Sequence, residues 1–105
     1  MNTEVSIHDS SAGPRTRRLV EERLQALAAR CAGVVRLTAR LEEEASQHRV
    51  AIAVRVAHGP VLAVEARAGG LRGALDEALQ RITRRLERAR ALRTTERRRP
   101  GRGRR

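Results

Sequence analysis

The chain has 105 residues, 40% of them hydrophobic, which is one domain's length with apolar material for one modest core. It sets 23 basic residues against 12 acidic ones, a formal charge of +11, and contains no Phe, Tyr or Trp. The charge points to a polyanionic partner, and the missing rings disfavour a reader of unpaired bases, which works by aromatic stacking; shape and backbone recognition of folded RNA fits better. No run approaches the roughly 18 apolar residues of a membrane span and no secretory signal opens the chain, so a cytoplasmic protein without membrane contact is expected.

Residues 4–8 (EVSIH) alternate polar and apolar side chains, as a short strand does. Ser10, Ser11, Ala12 and Gly13 form a turn cluster, and Pro14 suits the first position of a helix. That helix spans residues 14 to about 32, with Val20, Leu24, Leu27 and Cys31 on one face and Gly33 as its expected C-cap. Cys31 is the sole cysteine and reads as a small core residue rather than a reactive thiol. Val35, Leu37, Ala39 and Leu41 then alternate with Arg36, Thr38 and Arg40, a half-buried strand running into a polar turn at residues 42–47.

Val50, Ile52, Val54 and Val56 give a third strand, His58-Gly59-Pro60 a tight turn, and Leu62, Val64 and Ala66 a fourth strand. Two short turns joining three alternating runs imply an antiparallel meander. Gly69-Gly70 closes the sheet and opens a long second helix, in which Leu71, Leu75, Ala78, Leu79, Ile82, Leu86 and Ala89 recur at steps of three and four. This helix is expected to fray near Arg93. Residues 94–105 (TTERRRPGRGRR) contain no apolar residue, so the chain divides into an α+β domain at 1–93 and a disordered Arg-rich tail at 94–105.

The order β-α-β-β-β-α obliges both helices to bury one face against the only sheet available. The expected fold is α+β: a four-stranded sheet with two helices packed on one face, like a double-stranded-RNA-binding domain. The opposite face, with Arg36, Arg40, Arg49, Arg55 and Arg67, is expected to be open.

All 13 basic residues after Gly70 are arginine, against Asp76, Glu77, Glu87 and Glu96, so this third of the chain carries 13 − 4 = +9 of the charge. At about 100° per residue, Arg81, Arg84 and Arg88 share one flank of the second helix, with Arg85 nearer the apolar stripe. Phosphate is the ligand class such a flank suits, although an exposed charge run also solvates a helix with no ligand at all. His8, His48 and His58 with one cysteine make no metal-ligand spacing. Gly69-Gly70 lacks the Lys-Ser/Thr of a phosphate-binding loop, and Glu42, Glu43 and Glu44 at an exposed turn lack the burial that tunes a general acid. No nucleophile and base stand at a meaningful spacing. A non-enzyme with no cofactor, metal or small-molecule substrate is expected.

Several stretches, in order, resemble one family: Leu19-Val20-Glu21-Glu22-Arg23-Leu24, Gln47-His48-Arg49-Val50-Ala51, Gly59 with Leu62-Ala63-Val64-Glu65-Ala66, and Ala74-Leu75-Asp76 through Arg81-Ile82-Thr83-Arg84-Arg85-Leu86 to Arg90. Over residues 5–93 they are similar to the ribosome hibernation-promoting factors, also called ribosome-associated inhibitors or sigma-54 modulation proteins. The resemblance implies a translation inhibitor that binds the small ribosomal subunit and its rRNA in the channel used by mRNA and tRNA, holding ribosomes inactive in stress or stationary phase. Carried over residue by residue, it implies Arg23, Arg49, Arg81, Arg84, Arg88 and Arg90 as RNA contacts, with Arg85 and Arg93 weaker candidates; for the tail arginines, non-specific affinity and simple solvation stand equal. Residues 9–14 lack the family's His-x-x-x-Thr-type segment, and Gly70 and Arg72 stand where an Asp-x-Tyr pattern is usual. A chain ending soon after the second helix is expected to be a short form, without the dimerising domain of the long one, and a monomer. Two other readings stay open: a general structured-RNA-binding module, and a regulatory protein-interaction domain whose sheet face docks a protein.

Overall fold

The computed structural model describes residues 4–9, 13–57 and 59–97, and their side chains except those of Val5, Asp9 and residues 91–97. Alternation of apolar and polar residues builds β1 (Glu4–Asp9), β2 (Val34–Glu44), β3 (Gln47–Val56) and β4 (Val61–Ala68). The helical repeats build α1 (Pro14–Arg30) and α2 (Leu71–Arg97), completing the order β-α-β-β-β-α. The strands form a single mixed sheet in the order β1-β2-β3-β4. β1 runs parallel to β2, since α1 carries the chain back between them, and β2, β3 and β4 form the antiparallel meander.

One face of this sheet is covered, by α1 over β1 and β2 and by α2 over β3 and β4. Val20, Leu24 and Leu27 of α1 and Leu75, Ala78 and Ile82 of α2 meet Leu37, Ala39, Val50, Ile52 and Val54 in one continuous core. No polar or charged side chain is buried among the described residues. Without aromatic rings the core is a sum of aliphatic terms of roughly 1.5–3 kcal/mol for each fully buried Leu, Ile or Val, so no one residue dominates it. Arg36, Thr38, Arg40, Ala51, Ala53, Arg55, Ala63 and Arg67 line the uncovered face, as their alternation requires. Among the described residues no helix is long and apolar enough to cross a membrane.

Three local features differ from the sequence reading. The C-cap of α1 is Cys31, in extended conformation at φ −119, with its N–H donating to the Leu27 carbonyl at 3.1 Å. Gly33 lies beyond it with φ +90, a left-handed conformation that glycine adopts without penalty, and its carbonyl accepts from the Ala57 N–H at 2.8 Å. It turns the chain into β2 and ties that turn to the end of β3.

Residues 42–44 are strand rather than turn: the chain reverses over Ala45 and Ser46 alone, with Ala45 left-handed at φ 54. Glu42 stands opposite Arg49, Glu43 opposite His48 and Glu44 opposite Gln47. The opposite charges of Glu42 and Arg49 offset the poor strand preference of glutamate. Finally, α2 continues to Arg97, past the fraying expected near Arg93; the first helix-breaking residue after it is Pro100. Residues 98–105 of the expected tail, and residues 10–12 and His58 of the two expected turns, lie outside the described residues.

Candidate nucleic-acid interface

β4 is an edge strand, so its outward carbonyls have no strand to pair with. α2 lies over β3 and β4 and supplies the missing donors: Arg81 donates to the Glu65 carbonyl at 2.6 Å and Arg85 to the Ala63 carbonyl at 2.8 Å. The periods match, because four helical residues rise about 6 Å and two strand residues advance about 7 Å. Arg81 also pairs with Glu77 one turn earlier. Beside these two, Arg84 and Arg88 are exposed, and neither has an ion-pair partner among the described residues. The four arginines, with Val64 and Glu65, line a cleft of about 340 Å³.

Arg23 lies elsewhere, half-buried on α1 and paired with Asp76 of α2 at 2.8 Å. That pair lies along the groove between the helices, about 500 Å³, whose lining includes Leu27, Arg30, Leu79, Thr83 and Arg84. Leu79 is half-buried in this groove rather than in the sheet-facing stripe. One residue past Ala78, it is turned by about 100° toward α1.

Arg49 is on the uncovered sheet face, half-buried between two carboxylates, pairing with Glu42 of β2 and lying 3.3 Å from Glu65 of β4. Arg90 is exposed near the end of α1, where it lines a cavity with Arg30 and Cys31. The six nominated arginines therefore do not form one patch. Arg81, Arg84 and Arg88 converge along β4, Arg23 and Arg84 bound the helix groove, Arg49 faces the other way, and Arg90 stands apart.

The packing changes the reading of two arginines. Arg85 is a weak candidate by sequence because its helical angle places it beside the apolar stripe; that angle is what lets it reach the edge of β4. Arg30 escapes the sequence reading, although it follows Arg23 by seven residues, two helical turns on the same face. The uncovered sheet face cancels part of its own charge through Arg36–Glu4 at 2.9 Å and the Arg49 pairs. The excess of cation therefore lies on the helices, +4 on α2 from 8 arginines against 4 acids and +3 on α1 from 5 against 2. No group of three or more His, Cys, Asp or Glu residues suited to a metal occurs among the described residues.

The fold recurs in known proteins. The N-terminal domain of Protein Y from Thermus thermophilus is similar over 84% of this chain and 98% of its own, at 24% identity and a TM-score of 0.70. A ribosomal subunit interface protein from Coxiella burnetii is similar over 87% of this chain and 99% of its own, at 15% identity and a TM-score of 0.70. At these identities the likeness is one of fold. A search of curated proteins found no match. The family model described as sigma 54 modulation protein / S30EA ribosomal protein matches residues 3–93, nearly the whole described domain. On the strength of that match the chain belongs to this ribosome-associated family.

Proposed function

We propose that the protein binds the small ribosomal subunit as a stoichiometric hibernation factor, filling the channel used by mRNA and tRNA and blocking translation by occupancy alone. Family membership supports ribosome association, and the Coxiella protein of the same fold is a ribosomal subunit interface protein. The observation that carries the RNA contact is the pair Arg84 and Arg88, one turn apart, exposed and unpaired among the described residues, beside two arginines anchored to β4. An unpaired guanidinium gains a phosphate without surrendering a carboxylate, and it releases condensed counterions from the RNA. Arg23, Arg49 and Arg81 must first exchange existing partners, so their net gain is smaller. Excluding mRNA and tRNA requires no bond to be made or broken, which fits a factor that is not an enzyme.

The test is cosedimentation of the Arg84→Glu, Arg88→Glu double variant with purified small subunits. Charge reversal at two exposed positions is expected to weaken binding by about tenfold or more while the circular dichroism melt stays at the wild-type value. A folded variant that pellets like wild type would sink the reading. Equal affinity of the wild type for subunits and for unrelated duplex RNA would favour the general RNA-binding module instead.

A further inference from the structure

The three least buried members of the core, Val56 at 6%, Leu62 at 7% and Leu86 at 7% exposure, line one cavity. It measures about 270 Å³ and lies where the end of α1, the β3–β4 connection and the second half of α2 meet, with Cys31, Ala32, Pro60 and Ala89 completing its apolar wall. Arg30, Arg90 and Glu87 also line it, exposed and without ion-pair partners among the described residues, and Thr83 is part of the same lining. A concave, mostly apolar hollow with a few polar groups at its mouth is the usual form of a small-molecule site, whereas protein partners dock on flatter surfaces. Two guanidiniums and one carboxylate give the polar lining a net charge of +1, which matches a monoanion and not a nucleotide or an RNA backbone.

We propose that this cavity binds a small amphipathic carboxylate, its aliphatic body against Val56, Leu62 and Leu86 and its head between Arg30 and Arg90. Guanidinium forks suit a carboxylate because each can donate two parallel hydrogen bonds. A short unbranched acyl chain satisfies an all-aliphatic wall, and no ring is present to stack an aromatic ligand. The site is distinct from the cleft along β4, with which it shares no lining residue. It goes beyond the ribosome reading and does not depend on it.

Cys31, the chain's one cysteine, lines the cavity and reports on its occupancy. Octanoate is the probe, and the rate of Cys31 alkylation by iodoacetamide is the readout. At about ten times its dissociation constant octanoate is expected to slow alkylation by about tenfold, as a bound ligand protects by mass action. Octylamine and octanol at the same concentration should not. The Arg30→Ala, Arg90→Ala double variant should lose protection. Ala32→Leu, which fills the cavity from an exposed loop position, should lose it too, with an unchanged melt and unchanged pelleting with small subunits. No protection by octanoate, equal protection by octylamine, or full protection in either variant overturns the proposal. Loss of subunit binding by the β4 cleft variants with intact octanoate protection separates failure of one reading from failure of the other.

Discussion

Arg85 donates to the main-chain carbonyl of Ala63 at 2.8 Å, and one turn earlier Arg81 does the same for Glu65 at 2.6 Å. Two residues of a strongly cationic helix thus serve as the missing neighbour strand of a sheet edge. Bulky cations along that edge also bar a second chain from pairing there.

Replacing both with alanine should leave the β4 carbonyls to water. Both donors are exposed, so the expected loss is under about 1 kcal/mol for each. The larger effect is expected in association: the double variant should self-associate at lower concentrations than the wild type does. Sedimentation velocity over a concentration series measures it, and identical profiles would refute the edge-guarding role.

Two aliphatic positions of α2 should respond differently. Ile82 is fully buried against the sheet, and Ile82→Ala is expected to cost about 2–5 kcal/mol. Leu79 is half-buried in the helix groove, so Leu79→Ala should cost clearly less, about 1–2 kcal/mol. Urea titration of both variants decides this, and equal losses would contradict the position of Leu79.

Backbone conformation predicts opposite signs at Gly33 and Ala45. A Cβ at Gly33 meets only Val56 Cγ1 at an ordinary 3.6 Å, so the cost of Gly33→Ala comes from φ +90, about 1 kcal/mol or somewhat more. Ala45 bears the same left-handed strain at φ 54, and Ala45→Gly should relieve up to about 1 kcal/mol. Thermal melts of the pair check it; a stabilised Gly33→Ala would overturn the turn assignment.

Binding to small subunits should weaken steeply with salt, because phosphate neutralisation releases counterions. Removing Arg88 alone should reduce the slope of log affinity against log salt by about one. Dissociation constants at a series of potassium concentrations provide the slopes. A flat response would exclude arginine–phosphate contact as the source of affinity.

Strand alternation and helical periodicity make the element order and the core legible in the chain itself, because burial on one face leaves a period of two or of about 3.6 in the sequence. Leu37, Ile52, Leu75 and Ile82 are readable in this way, and so is the cationic character of α2. The partner of each charge is not. Glu42 reads as a turn residue until Arg49 stands opposite it, and Arg23 reads as free until α2 brings Asp76 within 2.8 Å. Arg85 is marginal by its helical angle until the edge of β4 lies beneath it. Local pattern reports which side of an element meets the core. Which arginines are spent on internal partners, and which are left for a phosphate, depends on contacts between residues up to 53 positions apart, and only the packing of helices on the sheet decides those.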